Sequence, residues 1–290
     1  WRNFNVDRWC EAIRLVSDTA KAEDPTMRLS LFNSFGQTAA SGNDYWKLLT
    51  RAGLGHSQEY TEMVYFGDRP ICNFDEFYRS FRPDLRLWGF VGYGMSPGQI
   101  RFAPWWFAAH RYGGMTWFSA WTWEYQLFDM PTLALTQDAV SLRDSLAASK
   151  LTDGLGALML VYPWAKRDVA ICYSHESLLV STALGTETRS NDVATEGPLH
   201  DYMFSRQGIQ RIVQEHLYQH DFVSPEQVVS GRLADYRILF LPRIVALSDA
   251  EVAALRDFAA HGGRIVSDGE PGAFDELGMR RTVAPFAAGE

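Results

Sequence analysis

Cysteine is scarce in this chain of 290 residues: Cys10, Cys72 and Cys172 are odd in number and far apart, with no Cys-x-x-Cys pairing among them. That excludes a disulfide framework and a structural zinc site, and makes a reducing, cytoplasmic residence the expectation. Positive charge is also short, with 27 Lys and Arg against 35 Asp and Glu and a formal net charge of −8. Nucleic-acid binders carry a basic field or stripe, so no nucleic-acid partner is expected. No uncharged apolar run reaches the roughly 18 residues a membrane helix needs, so no membrane partner is expected either. Gly-x-Gly-x-x-Gly and Walker-type loops are missing, and no metal or cofactor is expected. Repeats, low-complexity tracts and heptads are absent. The sequence opens on Trp1, without an initiator Met or a basic-then-apolar leader, and stops at Gly289 and Glu290 without a closing element. Both ends lead to the expectation of a piece of a longer, truncated protein.

What is present is a chain that is 47% apolar and 21% charged, about twice the modal domain size, so two domains are expected. Tryptophan divides it: nine of the ten lie between Trp1 and Trp123, and only Trp164 lies beyond. In the first part, Val6, Trp9, Cys10, Ile13, Val16 and Ala20 recur at i, i+3 and i+4 and predict an amphipathic helix ending before Asp24 and Pro25. Strands are predicted over 28–33, 54–60, 85–93 and 115–121. Helices are predicted over 44–51, over 73–81 with an Asn73/Glu76 capping box, and over 105–110 with Pro104 at its first position and Gly113 and Gly114 ending it. Four strand-plus-helix units roughly 25–33 residues apart are what parallel β/α connections require. They amount to half of a (β/α)8 TIM barrel.

Thr136 is predicted to cap a helix reaching Ser149, and the boundary is placed near 162, giving domains 1–162 and 163–290. Strands are predicted over 168–173, 221–223, 236–241 and 264–267. Between them lie a helix over 202–217, with Met203, Ile209, Ile212, Val213 and Leu217 on its face, and a helix from the Ser248/Glu251 capping box to Ala260, closed by Gly262. This alternation predicts a flavodoxin-like doubly wound domain. The fold class is therefore α/β throughout, a partial barrel followed by a doubly wound layer.

The segments 169–177 (VAICYSHES), 221–226 (DFVSPE), 233–248 (LADYRILFLPRIVALS) and 262–269 (GGRIVSDG) together resemble one domain. It is the trimerisation domain of glycoside hydrolase family 42 β-galactosidases, which is similar to class I glutamine amidotransferases. Residues 1 to about 150 resemble the back half of that family's catalytic barrel, with 104–121 (PWWFAAHRYGGMTWFSAW) similar to its last helix and eighth strand. The resemblance implies hydrolysis of O-glycosidic bonds in an oligosaccharide, a carbohydrate substrate, and assembly into a homotrimer or another homo-oligomer. It also implies two catalytic glutamates at the ends of barrel strands four and seven. The fourth strand would precede Trp1, and the seventh, 85–93, carries no glutamate, so no nucleophile is carried over.

Retaining glycosidases need two carboxyl groups about 5–5.5 Å apart. Glu59, near the end of the strand over 54–60, and Glu124, just past the strand over 115–121, are the candidates for catalysis on the barrel's C-terminal face. Sugars stack their apolar faces on indoles and need polar neighbours for their hydroxyls, which makes Trp88, Tyr93, Trp121, Trp123 and Asn33 the candidate substrate-binding residues. Trp9, Trp105, Trp106 and Trp117 are read instead as core and helix packing, and His110 as a helix C-terminal histidine favoured by the dipole. Amidotransferase chemistry needs a nucleophilic cysteine on a sharp strand-to-helix turn, whereas Cys172 lies inside a strand as a buried apolar residue. Two functions remain: part of a β-galactosidase-type glycoside hydrolase, inactive as this piece alone, or a catalytically silent carbohydrate-binding or assembly protein that keeps both domains.

Overall fold

The structure is a computed structural model and describes residues 2–33, 44–59, 73–92, 95–119, 126–186 and 201–286. Helix α1 (Arg2–Glu23) leads into β1 (Ser30–Asn33), and the chain then alternates through α2 (Tyr45–Arg51), β2 (His56–Glu59), α3 (Asn73–Phe81), β3 (Arg86–Val91), α4 (Pro97–Ala109) and β4 (Gly114–Trp117). The four strands pair in chain order and all in parallel. These are consecutive staves of a barrel wall, with α5 (Gln137–Ser149) and α6 (Leu155–Val161) packed on α4.

The second sheet is built from β5 (Val169–Cys172), β6 (His220–Val223), β7 (Ile238–Leu241) and β8 (Arg264–Ser267). It is parallel with spatial order β6-β5-β7-β8, the flavodoxin-like winding in which the first strand lies inside the second. Helices α7 (His175–Leu184), α8 (Asp201–Glu215), α9 (Pro225–Val229) and α10 (Asp249–Ala260) connect its strands. Every residue of β5 and β6 is buried, as parallel strands covered on both faces require. No described helix is long and apolar enough to cross a membrane.

Several local expectations are corrected by packing. In α1 the buried stripe is Val6, Cys10, Ile13 and Ser17, while Trp9 is 51% exposed and Val16 is exposed with it. Each sits one position off the stripe, about 100° around the helix. Helix α4 begins at Pro97: Ser96 and Gln99 close a capping box, so Pro104 lies inside the helix, and Arg111 rather than a glycine takes the left-handed turn after it. Asn73 is the first residue of α3 rather than its cap, and Glu76 turns its carboxylate to Arg79. On α8 the buried face is Tyr202, Met203, Arg206, Gln207, Gln210 and Val213, and Leu217 is 91% exposed. Helix α7 carries no expectation because β5 enters it with only Tyr173 and the cap Ser174 between. The caps at Thr136 and Ser248 are as expected, and Ser224 caps α9.

The first sheet's core, running through Leu48, Phe77 and Phe107, continues into Ile171, Tyr173 and Phe222 of the second. Phe77 of α3 meets Tyr173 and Phe222 edge-on at 5.1 and 4.6 Å between ring centroids. The Tyr173 hydroxyl accepts from the Tyr45 backbone N–H at 2.7 Å and donates to Asp44, the cap of α2, at 3.3 Å. The two sheets thus share apolar interior and buried hydrogen bonds.

Candidate functional site

Parallel register brings the C-terminal ends of the first sheet's strands to one edge. Asn33 pairs with Glu59, and Glu59 with Gly89, so the last residues of β1 and β2 are direct neighbours about 4.8 Å apart across the sheet. Two residues expected at the rim from separate units therefore share it. Tyr93, Trp121, Trp123 and Glu124 lie outside the described residues.

Alternation along β3 makes the floor. Leu87 and Val91 are buried toward the helices, and Gly89 lies between them on that face. A Cβ at Gly89 would stand 2.2 Å from Phe107 Cζ, so glycine is what lets α4 lie against the strand. Trp88 faces the other way and is 40% exposed, its indole lying over Gly114 of β4, where an added Cβ would come within 3.0 Å of the ring. Trp88 is third of six residues in β3, so it stands on the inner wall below the strand ends rather than at an end. At the rim above, Gly92 adopts φ +110° and passes so close to the Phe118 carbonyl that a Cβ would lie 2.7 Å from it. The Phe118–Ser119 peptide is cis. The arrangement offers a flat, partly open indole set into a parallel wall, with Asn33 and Glu59 on the edge above.

A second group of polar residues, not anticipated from the sequence, lies where the sheets meet. Arg79 of α3 donates to Glu76, to the backbone carbonyl of His220, and to Asp221 at 2.7 Å. Arg167 reaches Asp221 at 3.0 Å, and the Tyr236 hydroxyl donates to the same carboxylate at 3.0 Å. Burial pushes the Glu76 carboxyl up, but Arg79, His220 and His110 outweigh it and hold its pKa at about 2. Burial lowers His220 to about 4, with Glu76 opposing and Arg79 adding. His110 caps α4 as expected, with Nδ1 bonded to the Trp106 carbonyl at 3.0 Å. The one sequence signal for this group is Glu76 and Arg79 at i, i+3 on α3, whereas the sequence reading assigns Glu76 to a capping box with Asn73.

Acidic groups gather at the C-terminal edge of the second sheet, where Glu176, Glu226, Glu251 and Glu276 line an open cleft of about 390 Å³. Burial, with Glu176 and Glu226 nearby, raises Glu251 to about 7, against the Ser248 hydrogen bonds that lower it. Burial likewise raises Asp44 to about 6. A carboxyl whose folded pKa exceeds its unfolded value contributes stability that is present below about 4.5 and lost as pH rises through 7. Glu251→Gln keeps an acceptor for the Ser248 N–H and removes that loss. The variant is expected to be more stable than wild type by about 1–3 kcal/mol at pH 8 and equal to it at pH 4.5, measured by urea melts at both. Equal stabilities at pH 8 would show that Glu251 stays solvated. Cys172 is buried in β5 with its thiol pushed well up by burial, and among the described residues no group of three or more His, Cys, Asp or Glu could hold a metal ion.

The described class is thus a parallel (β/α) half-wall with polar residues on its C-terminal rim, joined through a shared core to a flavodoxin-like layer. No family model matches this chain, and no curated protein does. Solved structures do. Gan42B, a GH42 β-galactosidase from G. stearothermophilus, matches with a TM-score of 0.70 at 17% identity over 97% of this chain and 42% of its own. A polyextremophilic β-galactosidase from Halorubrum lacusprofundi matches with a TM-score of 0.73 at 15% identity, over 99% and 44%. An exo-carrageenase GH42 from Bacteroides ovatus gives 0.65 at 11%, over 98% and 40%. The chain therefore has the fold of GH42 enzymes across both its sheets and spans about two-fifths of their length.

Proposed function

We propose that this chain is the back half of the catalytic barrel and the following layer of a GH42-like glycoside hydrolase that cleaves O-glycosidic bonds of β-galactoside-type oligosaccharides. The observation that carries this reading is the match to β-galactosidases over 97–99% of the chain, across both sheets in one arrangement. In this reading the domains run over 1–162 and 163–290, in keeping with α6 ending at Val161 and β5 starting at Val169. Glu59 and Glu124 serve as carboxylates near the scissile bond, and Asn33, Trp88, Tyr93, Trp121 and Trp123 line the sugar. The second domain mediates homotrimerisation in the cytoplasm, and this chain alone lacks the carboxylates contributed by the rest of the barrel.

A second reading, a sugar-binding or assembly protein without turnover, is favoured by one observation: β3 reads Arg-Leu-Trp-Gly-Phe-Val and offers no carboxylate. The two separate on the complete protein with chromogenic β-galactosides. In the hydrolase reading Glu59→Gln lowers kcat at least about 100-fold, the scale of a lost acid or base. Unchanged turnover removes Glu59 from the chemistry, and sugar binding without any hydrolysis establishes the second reading. Under either, Trp88→Ala weakens oligosaccharide binding by about tenfold in calorimetry, the scale of one lost stacking contact. Unaltered affinity would place the sugar elsewhere.

A further inference from the structure

Trp164, in the segment between α6 and β5, is surrounded by more positive charge than its neighbours neutralise. Three guanidinium groups face its indole: Arg111 at 4.7 Å from the ring centroid, Arg79 at 5.4 Å and Arg167 at 5.5 Å. Stacking on an aromatic face favours each of them, while burial and the Arg79 charge both work against a charged Arg167. Among the described residues two carboxylates are present, Glu76 and Asp221, and Arg79 engages both.

The remaining two guanidinium groups are incompletely matched. Arg167 gives Nη1 to Asp221, while its Nε and Nη2 are buried with no acceptor. Arg111 stands beside no carboxylate among the described residues, and its pKa is lowered through burial alone. Its backbone is held at φ +58°, a conformation uncommon outside glycine, which turns the residue back from the end of α4 toward Trp164. His220, 2% exposed on the edge strand β6, leaves Nε2 without a partner as well. Buried donors without acceptors are rare in folded proteins, and two on one guanidinium group mark a missing acceptor.

We propose that this cluster is a binding site for a small oxyanion of the phosphate class, held between the guanidinium groups of Arg111 and Arg167 beside Trp164. A tetrahedral dianion supplies the acceptors that Arg167 Nε and Nη2 lack. It also supplies the countercharge that Arg111 lacks, in the forked geometry that guanidinium groups form with phosphate oxygens. The site lies at the junction of the two sheets, near the start of β4 and of β6, and so at the end opposite the rim that bears Asn33 and Glu59. It is independent of the glycosidase reading, and an occupied site would tie the two sheets together.

Thermal unfolding in potassium phosphate and in potassium chloride of equal ionic strength tests it. The melting temperature is expected to rise by about 2–4 °C in phosphate at ten times its Kd. The rise should disappear in Arg111→Gln, a variant expected to fold because Arg111 makes no ion pair among the described residues, and persist in Arg111→Lys, which keeps the charge. Calorimetry with inorganic phosphate should show one site in the wild type and none in Arg111→Gln. A parallel titration with glycerol phosphate separates the sources: a matching heat means a phosphomonoester enters, and its absence means that free phosphate alone fits. Equal melting temperatures in the two salts with no heat of binding would mean that water alone satisfies Arg167. A rise that survives both Arg111→Gln and Arg167→Gln would place the anion elsewhere. Either result overturns the proposal.

Discussion

Arg79→Met is expected to destabilise the protein by about 3–5 kcal/mol, because it strands buried charge instead of merely removing a contact. Arg79 is nearly buried and is bonded to Glu76, Asp221 and the His220 carbonyl. A methionine fills its volume but leaves two carboxylates in a dry site with Arg167 as the remaining guanidinium on Asp221. The pH dependence should change as well. Glu76 sits at about 2 when folded and near 4.5 when unfolded, so its stabilisation is present above 4.5 and lost as pH falls toward 2. His220, lowered to about 4 from 6.5, acts in the same direction: its contribution is complete above 6.5 and disappears as pH falls through 4. In Arg79→Met the burial of Glu76 is no longer opposed by Arg79, so the share lost between pH 4.5 and 2 vanishes. Urea melts of both proteins across pH 3 to 8 test this, and a loss below about 1 kcal/mol at pH 7 would mean that water already reaches these carboxylates.

Phe77→Ala is expected to cost a comparable 3–5 kcal/mol or so, the usual range for emptying a buried phenylalanine site. Its ring is fully buried between Tyr45, Phe81, Tyr173 and Phe222, and the Arg206 guanidinium lies 4.9 Å from its centroid. The cavity would open where the core passes from one sheet to the other, so the loss should appear as reduced cooperativity as well as reduced stability. Denaturant unfolding followed by fluorescence and by far-UV circular dichroism should coincide in the wild type and separate in the variant. Coincident curves with an unchanged slope would show that the sheets unfold together for some other reason.

Much of the architecture was legible because it is local. The strands over 264–267 and 221–223 and the caps at Thr136 and Ser248 are short-range patterns, and each stands within a residue or so of its expected place. The errors have physical causes. Pro104 resembled a helix start because the Ser96/Gln99 box eight residues earlier was passed over, and Trp9 resembled core because a hydrophobic residue one step off the stripe still fits a loose i, i+3 count. Of the site, the adjacency of Asn33 and Glu59 followed from parallel units alone. The junction did not, since Arg79 and Asp221 are 142 residues apart and no periodicity connects them.

Because α3 is clamped to the edge of the second sheet by rings, ion pairs and the Phe222 N–H donated to the Ser80 hydroxyl, the two sheets are fastened to each other by three kinds of contact. Any swing of one sheet away from the other would have to break all three at once, so the pair should behave as one body.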